Sequence, residues 1–181
     1  MLKLRKTEPG EPLVVAMTAV RTGDRLLIVG CGDLKVITQI AAKPGISGRA
    51  CAVDTTPERT ARAAEAAERE GALLDVETSP LASLPFANES FDVVVVNHLL
   101  GDLHPNERVS SLIEAARVLR GGGRCIVIEP GRRGGLSALF AAAPSIAPPE
   151  METLMNSAGF RAVRTIAERA GLVFVEGGRR T

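Results

Sequence analysis

The apolar run Leu26-Leu27-Ile28-Val29 ends in the turn Gly30-Cys31-Gly32, and a helical pattern opens at once from Asp33. A second apolar run, Cys51-Ala52-Val53, ends in a carboxylate, Asp54, 24 residues after Gly30. Strand, glycine turn, helix, strand, acid is the nucleotide end of a doubly wound α/β domain. The glycines let the backbone approach a ligand closely, and the acid is placed to grip a ribose diol. This narrows the expected ligands to adenosine-type cofactors.

The rest of the chain agrees with that architecture. Strand-like and helix-like segments alternate from about residue 25 to the end, the pattern of a largely parallel sheet with helices on both faces. Strands are expected at 25–29, 49–53, 73–77, 91–96, 125–128, 160–166 and 172–176. Asp33 is a good N-cap for the first helix after a strand, which carries Val36, Ile37, Ile40 and Ala41 on one face. Thr55-Thr56-Pro57-Glu58 predicts a second helix start, with a hydroxyl cap, an early proline and an acid in the first turn. A third helix is expected over 106–120, ended by Gly121-Gly122-Gly123, and a further one over 150–158. Glu129-Pro130-Gly131 is expected to break the fifth strand. Arg169-Ala170-Gly171 joins the last two strands closely enough for a hairpin, so one strand is antiparallel. The segment 131–149 is rich in Gly, Ala and Pro and reads as a substrate-side loop with a short helix over 136–143. Residues 1–24 are an N-terminal extension to one domain spanning 1–181.

Bulk properties exclude several function classes. With 181 residues and 45% hydrophobic content, the chain builds one full core. A net charge of +1 gives no electrostatic case for nucleic acid or an anionic membrane. No apolar run is long enough to span a bilayer, and no signal-peptide core follows the basic start, so a cytoplasmic location is expected. Tryptophan and tyrosine are absent, which weakens any proposal based on aromatic base stacking. Cys51 and Cys125 lie in strand-like runs as buried thiols; Cys31 sits in the glycine turn, a space-filler rather than a nucleophile. His98 and His104 are six residues apart without a third ligand, so no metal site is expected.

In their order, these residues resemble class I S-adenosylmethionine-dependent methyltransferases of the small-molecule, ubiquinone-biosynthesis-like group. Leu26 to Asp33 stands where that family has its glycine-rich first motif. Ala52-Val53-Asp54 matches the acidic end of the second strand, and Leu84-Pro85-Phe86 through Ser90-Phe91-Asp92 follows its Leu-Pro-Phe…Ser-Phe-Asp stretch. Arg117-Val118-Leu119-Arg120-Gly121-Gly122-Gly123, Glu129-Pro130 and Ala158-Gly159-Phe160 fall at the remaining family positions. The resemblance implies a Rossmann-like seven-stranded sheet of order 3-2-1-4-5-7-6 with strand seven antiparallel. It also marks three departures. Ile28 stands in place of an acid, Leu34 in place of a third glycine, and Pro80 in place of an aspartate that contacts adenine.

The candidate cofactor-binding residues are Gly30, Cys31, Gly32, Asp54, Thr55, Leu81, Ala82 and Asn97. Asp54 is the strongest of them, with helix capping as its alternative role. Gly30 and Gly32 suit a tight turn with or without a ligand. By resemblance, Leu81 and Ala82 lie on the adenine-side loop, Asn97 meets the methionine part of the cofactor, and Glu129 faces the substrate side. His98 is a candidate general base, against a crevice histidine without a catalytic role. Asp33 and Lys35 argue against a dinucleotide. The first puts a negative charge where a pyrophosphate would lie, and the second replaces the last glycine of Gly-x-Gly-x-x-Gly. Methyl transfer from S-adenosylmethionine to a small-molecule acceptor is the leading expectation, with a homodimer possible. A catalytically silent binding module, motivated by the three departures, and an NAD-dependent oxidoreductase are the alternatives.

Overall fold

Two residue sets alternate along the central strands and divide the core between the two faces of one sheet. Leu27, Val29, Val94, Val96, Cys125 and Val127 pack on one face. Leu26, Ile28, Val93, Val95, Ile126 and Ile128 pack on the other. Strands buried on both faces read as continuous apolar runs because neither face can be polar. The computed structural model describes residues 12–131 and 146–180. The expected short helix over 136–143 and most of the 131–149 loop lie outside the described residues.

The elements in chain order are α1 (Leu13–Thr18), β1 (Arg25–Val29), α2 (Leu34–Ala41), β2 (Arg49–Asp54), α3 (Pro57–Arg69), β3 (Asp75–Thr78), β4 (Phe91–Asn97), α4 (Pro105–Val118), β5 (Leu119–Pro130), α5 (Pro148–Ser157), β6 (Arg161–Arg169) and β7 (Leu172–Gly178). They form a seven-stranded sheet of order β3-β2-β1-β4-β5-β7-β6, the order the family resemblance implies. β1 to β5 pair in parallel, and β7 runs antiparallel between β5 and β6. Val36, Ile37 and Ile40 of α2 and Ala63 of α3 cover one face, where Val14 and Val15 of α1 also pack. Leu112 and Ala115 of α4, with Met151 and Met155 of α5, cover the other.

Local signals explain most element ends. Asp33 caps α2 by accepting from the N–H groups of Lys35 and Val36 at 3.0 and 3.1 Å. The β6–β7 hairpin turns through Ala170 and Gly171, with φ of 54° and 74°. Two positive φ values in a two-residue loop match the twist of the flanking strands.

Three expectations change. The hydroxyl of Thr56 does not cap α3; its N–H donates to Asp54 Oδ1 at 3.1 Å, and Pro57 at the first helical position removes one donor that would need a cap. Gly121-Gly122-Gly123 does not end α4, which stops at Val118 and passes straight into β5. The glycines form an irregularity in the β4–β5 register between Leu119 and Arg124. A Cβ on Gly123 would lie 2.9 Å from the Asp92 carbonyl oxygen and 2.8 Å from Leu119 Cδ1, so close approach dictates glycine there. Finally, β5 runs on through Pro130 because Glu129 and Pro130 pair with Val173 and Leu172 of β7.

Candidate active site

The chain crosses from β1 to β2 on one side and to β4 on the other, so a crevice opens at the carboxyl ends of β1 and β4, as expected for open α/β sheets. Its volume is about 360 Å³. Cys31, Gly32 and Leu34 line it from the β1–α2 turn, and Arg59 and Arg62 from α3. His98, Gly101 and Asp102 line it from the β4–α4 turn, and Glu129 and Pro130 from β5.

The two glycines of the first turn have different reasons to be there. Gly30 has φ of +100°, and a Cβ on it would sit 2.5 Å from the Asn97 carbonyl oxygen. Protein packing alone requires glycine at that position. Gly32 is exposed to the crevice, and its nearest neighbour to an added Cβ is the His98 carbonyl oxygen at 3.5 Å. Among the described residues no atom requires Gly32 to lack a side chain.

Asp54 is 1% exposed and holds the turns together. Its Oδ2 accepts from the Cys31 N–H at 2.7 Å, and its Oδ1 from the Thr56 N–H. Arg59 lies above it, with Nη1 3.9 Å from Asp54 Oδ2 and Nη2 3.5 Å from Asp102 Oδ2, bridging the mouth of the crevice. A carboxylate offers about four lone-pair sites, so acceptor capacity remains after two backbone bonds. Burial, reinforced by the charge of Asp54 and opposed by Arg59, pushes the Cys31 thiol up to about 12. Cys31 is therefore an inert thiol at neutral pH.

At the end of β4, Asn97 is fully buried. Its Nδ2 donates to the Gly30 carbonyl at 3.3 Å, while its Oδ1 has no partner among the described residues. His98 adopts φ of 48°, and its N–H donates to the Ile128 carbonyl at 2.9 Å. Its buried Nε2 has no partner among the described residues. Burial lowers the His98 pKa below its ordinary value, against the opposing charges of Asp33 and Asp102. Glu129 is 1% exposed, and its Oε1 accepts from the N–H groups of Leu99 and Leu100 at 2.9 and 2.7 Å. Burial pushes its carboxyl up to about 7 in spite of these backbone bonds.

Cys31, Gly32 and His98 therefore meet at the crevice, and Gly30, Asp54 and Asn97 support it from behind. Thr55 is exposed beside Asp54, and Ala82 is exposed on its loop. Leu81 packs into the core on the α4 side of the sheet. Neither Leu81 nor Ala82 lines the crevice. The sequence reading missed Arg59, Arg62 and Asp102, which resemble the solvated face of a helix and a loop acid. Only Arg59 carried a signal, its position: the first turn of the helix after a strand-end acid points back towards the ligand edge, whereas Arg62 lies one turn further on and Asp102 on the β4–α4 turn. Among the departures, Ile28 is a fully buried core residue, Leu34 lines the crevice, and Pro80 is exposed.

The chain belongs to the methyltransferase domain family, whose pattern matches residues 27–127. It is 27% identical over 157 residues to the O-methyltransferase resE of Aspergillus sclerotiorum, covering 82% of this chain and 59% of the relative. It is 30% identical over 107 residues to the ubiquinone/menaquinone biosynthesis C-methyltransferase UbiE of Geobacter sp. (strain M21), covering 58% of this chain and 45% of the relative. The chain thus spans about half the length of these curated relatives. Its fold is that of an S-adenosylmethionine-dependent methyltransferase from Aquifex aeolicus, with a TM-score of 0.75 at 19% identity, covering 91% of this chain and 86% of the other. Among the described residues no helix is long and apolar enough to cross a membrane.

Proposed function

We propose that the chain binds S-adenosylmethionine in the crevice between β1 and β4 and transfers its methyl group to a small-molecule acceptor. The observation that carries this reading is the open position at Gly32, which lines the crevice together with His98, whose Nε2 has no partner among the described residues. Buried polar atoms are ordinarily satisfied, so a free ring nitrogen on a residue lining a concave site favours a polar ligand there. The volume and the donor set fit an adenosyl amino acid. The remaining lone pairs of Asp54 at the end of β2 suit a ribose diol, and the bare backbone at Gly32 admits close approach.

When bound, S-adenosylmethionine supplies a methyl group already activated by its sulfonium for in-line displacement. The work left to the protein is alignment and the exclusion of water. His98 is kept neutral by burial and can accept the proton of a hydroxyl acceptor at Nε2. The three buried, unpaired cysteines suit a reducing, cytoplasmic setting.

Titration with S-adenosylhomocysteine by calorimetry tests this, with NAD as control. Saturable micromolar binding, weakened at least tenfold in Asp54→Asn while the melting temperature holds, is the expected result. A binding module without turnover is the second reading, favoured by the inward engagement of Asp54 with Cys31, Thr56 and Arg59; absence of heat from a folded protein selects it. The NAD reading is disfavoured because Asp33 already occupies the α2 N–H groups that a pyrophosphate would use.

A further inference from the structure

Two carboxylates of the described residues are almost fully buried, Asp54 and Glu129, and they differ in what surrounds them. Asp54 has a guanidinium, that of Arg59, 3.9 Å away. Glu129 has no ion pair among the described residues, yet it is the one of the two that lines the crevice. Its Oε1 is held by the N–H groups of Leu99 and Leu100, so the carboxyl is fixed in place rather than free to seek a counter-charge. Beyond these backbone N–H groups, the described residues around it offer no counter-charge. The β4–α4 turn presents His98, with its pKa lowered, and the acidic Asp102. From α3, Arg59 is engaged with Asp54 and Asp102, and Arg62 makes no ion pair with Glu129. The β1–α2 turn brings Asp33 and the neutral thiol of Cys31. On β7 the paired residue is Val173. A buried carboxylate without a cation is costly, and the cost is removed when a cation arrives beside it. Ile28, two positions before Gly30, is fully buried in the core, and Asp54 does not line the crevice, so among the described residues Glu129 is the buried anion the crevice has to offer.

We propose that Glu129 is the anionic contact for the positive charge at the reacting end of the bound cofactor, and that it makes the crevice prefer a sulfonium over the corresponding neutral thioether. This rests on the S-adenosylmethionine reading above. Glu129 would then be a specificity-determining residue, favouring the charged substrate form over the spent one and so assisting product release.

The experiment compares three ligands by calorimetry. S-adenosylmethionine carries a sulfonium and an α-ammonium, S-adenosylhomocysteine the α-ammonium alone, and methylthioadenosine neither. At about pH 7.5, Glu129→Gln is expected to lower the affinity ratio of S-adenosylmethionine to S-adenosylhomocysteine about tenfold, the equivalent of one pKa unit of coupling. The glutamine carbonyl can still accept from Leu99 and Leu100, which preserves the turn. The same ratio, measured on the unaltered protein, is expected to fall towards about pH 5.5 as the carboxyl takes a proton in competition with the cation. A ratio indifferent to both the substitution and pH overturns the inference while leaving the cofactor reading intact. An unchanged ratio with a lost preference for S-adenosylhomocysteine over methylthioadenosine moves the charge contact to the amino-acid end, and also overturns it. No binding of any of the three by the unaltered protein overturns the cofactor reading itself.

Discussion

Asp92 and Glu129 lie at opposite ends of neighbouring parallel strands, β4 and β5, and their surroundings drive them in opposite directions. Burial alone would raise Asp92, but hydrogen bonds from Arg25 and Arg120 outweigh it and hold the carboxyl down at about 2. The Arg25 N–H and Nε lie 2.7 and 3.1 Å from Asp92 Oδ2, and Arg120 Nε pairs with Oδ1. Glu129 meets burial without a cation and is pushed up to about 7. One end of the sheet therefore completes its electrostatics within the protein, and the other leaves them open. Groups of one chemical type forced apart in this way mark the division between scaffold and site.

The largest effect expected at the open end concerns its frame and not its charge. Gly30→Ala places a Cβ 2.5 Å from the Asn97 carbonyl and demands φ of +100° from alanine. A loss of about 3–5 kcal/mol is expected, read as a drop in the urea midpoint together with lost ligand binding. Glu129→Gln should do the reverse. A carboxyl raised in the folded state binds its proton over a pH range where the unfolded chain has released it, so stability falls as pH rises from about 4.5 towards 7. At about pH 7.5 the variant is expected to be more stable than the parent by about 2 kcal/mol, and the gap should close near pH 4. A constant gap across that range in urea unfolding would falsify the assignment of Glu129 as the uncompensated anion.

Asp92→Asn is the counterpart at the closed end. Its folded-state value is depressed, so its contribution is present above about pH 4 and is lost as pH falls towards 2. A loss of about 2 kcal/mol at neutral pH is expected, with parent and variant converging in acid. The smallest effect belongs to Arg59→Gln. The Arg59 side chain is 40% exposed and Asp102 is 52% exposed, and the Arg59 contact with buried Asp54 is long at 3.9 Å, with the Cys31 and Thr56 N–H groups still holding that carboxylate, so stability should move by about 1 kcal/mol. A loss as large as that of Asp92→Asn would erase the contrast between the two ends.

Much of the fold was legible in the sequence because the central strands are covered on both faces, which leaves uninterrupted apolar runs at Leu26–Val29 and Val93–Val96. Asp33 was legible as a cap because its chemistry is local. Gly121-Gly122-Gly123 was misread as a helix stop because a run of glycine carries the same signal whether it ends an element or admits a close backbone approach, and the atom that decides, the Asp92 carbonyl, is distant in sequence. In the site, Gly30, Gly32 and Asp54 stood out by position on strand ends. Arg59 and Arg62 did not, since spacing on an alanine-rich helix cannot tell solvent from a crevice. Leu81 is placed on the ligand side by the family resemblance; its apolar side chain packs in the core, which leaves its backbone for any ligand contact.

The difference between Gly30 and Gly32 has a practical reach. Folding depends on the first and is indifferent to the second, so occupancy and foldedness are written at separate addresses in a three-residue turn. A methyl group at position 32, which would meet the His98 carbonyl oxygen and Cβ at 3.5 and 3.7 Å, is expected to act as a cork in the crevice while the sheet beneath keeps its packing. Such a plugged protein is a matched blank for acceptor screening, and any signal that survives the cork arises elsewhere on the molecule.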